Sequence, residues 1–178
     1  MHRSYLKAMI LAAFCAALSI VCGKYLAITS DVLRFSFENL PVILAGVLLG
    51  PLFGAATGTV ADLVGCFLVG YTVNPLVTLG AAAIGLCSGL CFRFLRLALP
   101  WRLALTVATA HLIGSVGIKT AGLAAWYSMP FWQLVLWRLL NYAILGVLEG
   151  VILFLLLRSK AIQKQVQPLL PASTPRWF

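Results

Sequence analysis

The run FWQLVLWRLLNYAILGVLEGVILFLLL, residues 131–157, decides the fold class of this chain. It exceeds the ~20 apolar residues that a helix needs to cross a membrane, and only Arg138 and Glu149 within it carry a charge. Across the chain, 62% of residues are hydrophobic and 10% are charged, whereas soluble domains average about 45–50% and about 25%. In water this composition would expose large apolar patches. The sequence therefore predicts an integral membrane protein.

Five further apolar segments precede this run, and glycine, proline or charged residues separate them. We expect residues 1–160 to form an all-α, six-helix transmembrane bundle, followed by a short, polar, disordered cytoplasmic tail at 161–178. The second segment is short for a span, so it is tilted, extended by residues 34–38, or packed inside the bundle. The six segments cover residues 6–27, 39–50, 52–70, 76–95, 103–126 and 131–157.

The basic residues predict the orientation of the bundle. Nine of the 13 Lys and Arg residues lie at one side of the predicted spans, whereas Lys24 and Arg34 fall in loops on the other. Cytoplasmic loops carry such an excess, so both termini are expected in the cytoplasm. The alternative of a cleaved signal peptide is disfavoured because the first apolar run continues past Lys24 to Ile28. Nucleic acid is not expected as a partner, since no basic face is interleaved with aromatic residues.

Pairs of small residues four positions apart occur on several predicted helices, where they let helix backbones approach closely. On the first helix two adjacent pairs widen the small face, which suits either packing within the bundle or a partner subunit. The pairs on later helices are interpreted as packing. The pairs are Ala12 with Ala16, Ala13 with Ala17, Gly54 with Gly58, Gly85 with Gly89 and Gly146 with Gly150.

Four charged residues fall well inside predicted spans, away from the span ends, where each costs about 2.5–3.5 kcal/mol at the helix centre. At a rise of ~1.5 Å per residue, Lys119 and Arg138 lie in the outer third of the bilayer. Asp62 lies near the middle, and Glu149 lies deeper, toward the cytoplasm. Lys119 could instead snorkel to the headgroups, Arg138 could pair with backbone carbonyls, and the two acids could be structural.

The outer side of the bundle carries an excess of positive charge. A cavity there would favour an anionic ligand, and an arginine fork suits a carboxylate. The charged residues concerned are Lys24, Arg34, Lys119 and Arg138 against Asp31 and Glu38.

The first outer loop combines a helix N-cap signal with an alternation of aromatic and polar residues. Thr29–Asp31 is typical of an N-cap, and RFSFEN at 34–39 follows it. Such alternation suits a lid with rings on one side and hydrogen-bonding groups on the other. The alternative is an interfacial turn with aromatic anchors, a role that also suits Trp101, Trp126, Tyr127 and Trp132.

Several stretches resemble the substrate-binding S components of energy-coupling factor (ECF) vitamin transporters. RFSFENLPVILAG at 34–46, GPLFG at 50–54, and Gly58 with Asp62 and Gly65 carry the resemblance. They match the R-x-x-F-x-x-L-P, G-x-x-x-G-P-x-x-G and G-x-x-x-D patterns of the folate-specific branch. The resemblance covers about residues 8–90, and beyond them Arg138 and the six-helix plan agree with it.

The resemblance implies a multi-pass protein of a prokaryotic cell membrane that captures a vitamin at an outward-facing pocket. Its partners would be an energy-coupling transmembrane subunit, docked on the small face of the first helix, and two ATP-binding-cassette ATPases. The chain itself would be no enzyme and would hold no cofactor or metal. Folate fits the charge, since its carboxylates suit Arg34 or Arg138 and its pterin ring suits stacking on Phe35, Phe37 or Tyr71. The expected site residues are Lys24, Arg34, Phe35, Phe37, Glu38, Asn39, Asp62, Tyr71, Lys119 and Arg138.

One loop departs from the family pattern and leaves the vitamin open. The folate branch reads P-G-x-T there, whereas this chain has YTVNPLVT at 71–78, so an S component for another vitamin is the alternative. A membrane enzyme is disfavoured because the chain has only His2 and His111 as histidines and lacks H-E-x-x-H and a glycine-rich phosphate loop. A self-sufficient carrier is disfavoured by the lack of an inverted repeat.

Overall fold

A computed structural model describes residues 2–29, 34–160 and 163–164, with side chains for residues 5–27, 35–160 and 163–164. The predicted tail, 161–178, lies almost wholly outside the described residues. Two π-helical segments, Val21–Tyr25 and His111–Lys119, extend the first helix and join α5 to α6. The α-helices are α1 (His2–Ile20), α2 (Asn39–Leu49), α3 (Pro51–Val69), α4 (Pro75–Phe94), α5 (Leu99–Ala110), α6 (Thr120–Tyr127) and α7 (Phe131–Arg158).

Five helical stretches in the described part of the chain are long and apolar enough to cross a membrane. Each begins and ends within a few residues of a predicted apolar segment, because the glycines, prolines and charges that separate the segments also end the helices. The five are Tyr5–Tyr25, Pro51–Val69, Pro75–Phe94, Leu99–Tyr127 and Phe131–Arg158.

The remaining helix, α2, is packed inside the bundle, one of the alternatives that its length left open. It has 11 residues, of which nine are buried, and at ~1.5 Å per residue it is much shorter than a ~30 Å hydrocarbon core. Gly50 ends α2 with φ at 96°, a conformation that glycine adopts without strain. Pro51 then begins α3, where its fixed φ suits a first helical turn.

The all-α prediction holds for the described residues apart from one short hairpin. β1 (Ile28–Thr29) pairs antiparallel with β2 (Arg34–Phe35), with Ile28 opposite Phe35. The predicted N-cap is not formed at Thr29, because this residue lies in β1; Ser30 and Asp31 lie outside the described residues.

Glycines let α2, α3 and α4 pack with their backbones in contact. A Cβ on Gly85 would overlap the carbonyl oxygen of Gly54, and one on Gly58 would overlap that of Ala81. Both predicted pairs that contain these glycines are therefore packing contacts. The third pair differs, since a Cβ on Gly150 would meet no atom within 4 Å.

Large apolar side chains cover the outer surface of the bundle. Leu52, Phe67, Phe94 and Trp132 are between 74% and 80% exposed, and they come from three helices, α3, α4 and α7. Water around so much apolar surface would be costly, whereas lipid tails match it. The chain is a membrane protein.

Candidate ligand-binding cavity

A cavity of about 510 Å³ lies at the end of the bundle that holds the hairpin, the turn after α3 and the turn before α7. Its volume falls in the range of roughly 300–1,000 Å³ that is typical of ligand pockets. The structure thus brings together six of the ten predicted site residues. These are Lys24, Glu38, Asp62, Tyr71, Lys119 and Arg138.

The four residues from Phe35 to Glu38, which lead from β2 to α2, differ in whether their side chains line the cavity. Ser36 and Glu38 line the cavity. Phe35 and Phe37 are not among the lining residues, and Phe37 is 37% exposed. This structure therefore does not place the two phenylalanine rings where they could stack on a ligand in the cavity. The polar residues of the predicted alternation line the cavity, and the aromatic ones do not.

Two further predicted site residues lie outside the lining. Asn39 is 2% exposed, and its Oδ1 lies 3.5 Å from Lys119 Nζ, so it supports a lining residue from behind. Arg34 lies in β2, but its side chain is outside the described part of the chain.

A partly buried ion pair forms part of the cavity wall. Lys119 Nζ lies 3.0 Å from Glu38 Oε1, and Lys119 as a whole is 5% exposed. The snorkelling alternative is therefore wrong for Lys119, because its ammonium group points into the protein rather than to the headgroups. The low dielectric around this pair strengthens the attraction that holds the two elements together.

Asp62 and Lys24 are two further charged residues that line the cavity. Thr78 Oγ1 donates a hydrogen bond of 2.7 Å to Asp62 Oδ2, which ties α3 to the start of α4. Lys24 Nζ lies 5.4 Å from the centre of the Tyr71 ring, within reach of a cation–π interaction. Asp62 is thus oriented by a neutral partner.

Both lysines of the cavity belong to π-helical segments. Lys24 lies in Val21–Tyr25, and Lys119 is the last residue of His111–Lys119. A π segment widens the helix and turns the following side chains to a different face, and such segments are common at functional sites. A sequence-based prediction assumes a regular period of ~3.6 residues per turn, so it does not anticipate that these side chains point to a different face.

The loop that departs from the family pattern is ordered by Asn74. The Asn74 side chain accepts a hydrogen bond from Leu76 N, which caps α4, and its Nδ2 donates to the Gly122 carbonyl at 3.0 Å. Through Asn74, this loop between α3 and α4 is hydrogen-bonded to α6, and it supports one edge of the cavity.

Arg138 reaches the cavity from α7 and is held by neutral groups. Its Nη2 donates to Tyr142 Oη at 3.3 Å, and its Nε donates to the Ser115 carbonyl at 3.3 Å. The sequence left open that Arg138 pairs with backbone carbonyls, and the hydrogen bond to the Ser115 carbonyl is such a contact. No carboxylate lies within ion-pair distance of Arg138 among the described side chains, so its positive charge is available to a ligand.

The aromatic rings of the cavity come mainly from residues that sequence reasoning did not assign to the site. Trp126 and Tyr127, predicted as interfacial anchors, line the cavity, as do Trp137 and Tyr142. Trp137 and Tyr142 flank Arg138 on one helix, and the spacing of four between Arg138 and Tyr142 is the signal that could have identified the latter.

Glu149 does not reach the cavity but pairs with His111 below it. His111 Nε2 and Glu149 Oε2 are 2.6 Å apart, and the two residues are 3% and 0% exposed. His111 is therefore one member of a buried polar pair rather than an isolated polar residue on an apolar helix. No group of three or more potential metal-ligating side chains occurs within the described residues.

The two small-residue pairs on α1 differ in exposure. Ala16 is buried at 4% exposure, and Ala12 packs against the core. Ala13 and Ala17, one position further along the helix in each case, are exposed. One of the two predicted pairs therefore packs inside the bundle, and the other remains open for a partner.

Residues 7–167 match the family described as "ECF transporter, substrate-specific component". The chain belongs to this family. The family resemblance seen in the sequence is thereby confirmed, and a transport component rather than an enzyme is the role of this family.

Two similar proteins carry more specific names. The chain is 31% identical over 84 residues to "Folate transporter FolT" of Clostridium novyi (strain NT), a match that covers 43% of this chain and 48% of that protein. The match thus spans about half the length of this curated relative. The fold is similar to a structure described as "Crystal structure of FolT bound with folic acid", with a TM-score of 0.69, 23% identity, and coverage of 83% of this chain and 90% of that chain.

Proposed function

We propose that this S component is the folate-binding subunit of an ATP-driven vitamin uptake transporter. The observation that carries the proposal is the cationic side chain of Arg138 in an aromatic-lined cavity, without a carboxylate partner among the described residues. A ligand with a free carboxylate would supply that partner, and a guanidinium binds both oxygens of such a group.

The charge of the cavity supports an anion that also carries hydrogen-bond donors. Three cationic side chains and two carboxylates line it among the described residues, so a positive excess remains. Folate matches this pattern, because its glutamate moiety carries carboxylates whereas its pterin ring carries N–H donors. The carboxylates would bind Arg138, and the donors of the pterin ring would face Asp62 and Glu38.

The aromatic residues at the cavity support the flat part of such a ligand. Tyr71, Trp126, Tyr127 and Trp137 are each between 47% and 62% exposed, so their faces are accessible at the site. Offset stacking of a pterin on one of these rings stabilises it beyond the burial of area. Lys24 and Lys119 would then attract the negatively charged ligand electrostatically, without a direct contact to its ring.

The similarity to proteins named for folate supports this vitamin, but the relative matches over about half its length. A different anionic vitamin with a flat ring is the alternative, because the loop 71–78 supplies Tyr71, Thr72, Asn74 and Val77 to the cavity wall. A loop that differs from the folate branch at this edge could alter the ligand that fits.

For the assembly, we infer six membrane segments with both termini in the cytoplasm, α2 being a short inner one. Ala13 and Ala17 would form the surface for an energy-coupling transmembrane subunit, to which two ATP-binding-cassette ATPases attach. Small side chains allow close helix approach in lipid, and the exposed pair on α1 offers such a surface. The site would be at a prokaryotic cell membrane, open to the outside.

Binding of radiolabelled folic acid to the purified chain, with other vitamins as competitors, tests the proposal. Saturable binding displaced by unlabelled folic acid, but not by riboflavin, thiamine or biotin at a hundredfold excess, is expected. No saturable binding of labelled folic acid, together with saturable binding of one of those vitamins when it carries the label instead, would move the assignment to that vitamin.

A further inference from the structure

We propose that the buried pair of His111 and Glu149 is a positioning element for the ligand site. It holds Tyr142 in place, and through Tyr142 it holds the guanidinium of Arg138 where a ligand carboxylate binds. This inference rests on the proposed function, because it requires an anion at Arg138.

The three residues of α7 that take part lie on its inner face. Tyr142 follows Arg138 by four positions and Glu149 follows Tyr142 by seven, the spacing of side chains on one side of a helix. Leu145, between them, is 2% exposed. Along the axis, Glu149 lies roughly 16 Å below Arg138 at ~1.5 Å per residue, so the two cannot touch. Any influence of Glu149 on Arg138 therefore passes through other residues.

His111 bridges part of that distance from the neighbouring helix. Its ring stacks on the Tyr142 ring with centroids 4.7 Å apart and an interplanar angle of 24°. Its Nε2 is 2.6 Å from Glu149 Oε2, and its Nδ1 is 3.3 Å from Ser115 Oγ. Because both ring nitrogens have partners, the imidazole cannot rotate without losing a hydrogen bond. The face that it presents to Tyr142 is therefore fixed.

Tyr142 and Ser115 transmit this orientation to Arg138. The Tyr142 hydroxyl accepts from Arg138 Nη2 at 3.3 Å, and the Ser115 carbonyl accepts from Arg138 Nε at 3.3 Å. Ser115 thus contacts His111 with its hydroxyl and Arg138 with its carbonyl. Two routes, one through a ring and one through the π-helical segment, connect the buried histidine to the guanidinium.

The cost of Glu149 argues against a purely structural role. A carboxyl group at this depth is expensive in a membrane, and its Oε1 has no hydrogen-bond partner among the described residues. An unpaired buried oxygen costs further free energy. Leu145 and Leu153 fill the neighbouring inner positions of α7 with 2% and 0% exposure, so an apolar side chain would satisfy packing there. The contact that distinguishes Glu149 is the one to His111.

A double-variant cycle on folic acid affinity tests the proposal, by isothermal titration of the full-length purified chain. Glu149→Gln keeps the shape of the side chain but replaces a charge-assisted hydrogen bond by a weaker one. Tyr142→Phe keeps the ring stacked on His111 but removes the hydroxyl that accepts from Arg138. Tyr25→Phe, an exposed tyrosine outside the cavity lining, is the matched control. Melting temperature is recorded for each variant.

We expect each of the two single variants to weaken folic acid binding by about fivefold, the factor that corresponds to one hydrogen bond. The double variant is also expected to be about fivefold weaker, because both changes act on the same contact. Tyr25→Phe should bind as the wild type does. His111→Gln is a second variant in case Glu149→Gln does not fold; it keeps a donor for Glu149, removes the stacked ring and should show the same loss.

Two results would overturn the positioning role while leaving folate binding intact. One is Glu149→Gln or His111→Gln with wild-type affinity. The other is an additive double variant, about 25-fold weaker, because independent contributions multiply. A wild-type chain that binds no folic acid would instead contradict the proposed function, and the positioning role with it.

Discussion

Lys119 and Glu38 form an ion pair of 3.0 Å although 81 positions separate them in the chain. The pair connects the end of the π-helical segment His111–Lys119 to the residue that precedes α2. The two partners differ in burial, since the Lys119 side chain is 6% exposed and that of Glu38 is 26% exposed. Loss of the partner should therefore cost more for the buried lysine than for the partly exposed glutamate.

Replacing Glu38 should destabilise the protein more than replacing Lys119. Glu38→Gln leaves a buried ammonium group without its carboxylate, whereas Lys119→Met leaves a carboxylate that water still reaches. Breaking a fully buried pair costs about 3–5 kcal/mol, and the partial exposure of Glu38 reduces this for Lys119→Met. Thermal unfolding in detergent measures the order. A melting temperature that falls further for Lys119→Met than for Glu38→Gln would show that the burial difference does not control stability.

Arg138 should set the affinity for the carboxylate of the ligand. Arg138→Ala is expected to weaken folic acid binding at least tenfold, and Arg138→Lys to recover part of it, because lysine supplies the charge but not the fork. Isothermal titration measures both. Wild-type affinity in Arg138→Ala would place the carboxylate elsewhere in the cavity.

Two glycines on different helices provide a matched test of the packing. Gly85→Ala should prevent α3 and α4 from approaching, because the added methyl group would overlap the Gly54 backbone. Gly150→Ala should be neutral or stabilising, since open space surrounds Gly150 and alanine favours a helix by up to ~1 kcal/mol. Size-exclusion profiles and melting temperatures of the two variants are the readouts. Equal behaviour of both would contradict the close contact at Gly85.

The division of the α1 surface predicts separate effects of two alanines. Ala13→Leu should weaken assembly with the energy-coupling subunit while leaving folic acid affinity unchanged, because Ala13 is exposed and does not line the cavity. Ala16→Leu should lower the melting temperature, since Ala16 is 4% exposed and overpacking costs typically 1–3 kcal/mol. Co-purification with a tagged partner measures assembly. Full assembly of Ala13→Leu together with loss in Ala16→Leu would reverse the assignment.

The helices could be predicted from the sequence because lipid imposes simple requirements on them. Apolar runs must be long enough to span, and residues such as Gly50, Pro51 and Pro130 end or begin them. The pairing of β1 with β2 could not be predicted in the same way, since two-residue strands leave no periodic pattern.

The charged residues of the site could be predicted, whereas their partners could not. Arg138 and Lys119 stand out because ionisable residues are rare in spans. The pairing of His111 with Glu149 depends on how the π-helical segment His111–Lys119 packs against α7, and 38 positions separate the two. The alternation of the segment 35–38 was visible, but no sequence signal showed that its polar side faces the cavity.

Mass spectrometry of the small molecules released from the purified wild-type chain tests the central claim most directly. Protein is produced in cells that make folate, washed in detergent and denatured, with the Arg138→Ala variant treated in parallel. We predict a folate in the wild-type extract, near one molecule per chain, and a strongly reduced amount in the variant extract. A wild-type extract that contains lipid alone, or a different vitamin retained equally by both proteins, would contradict the account.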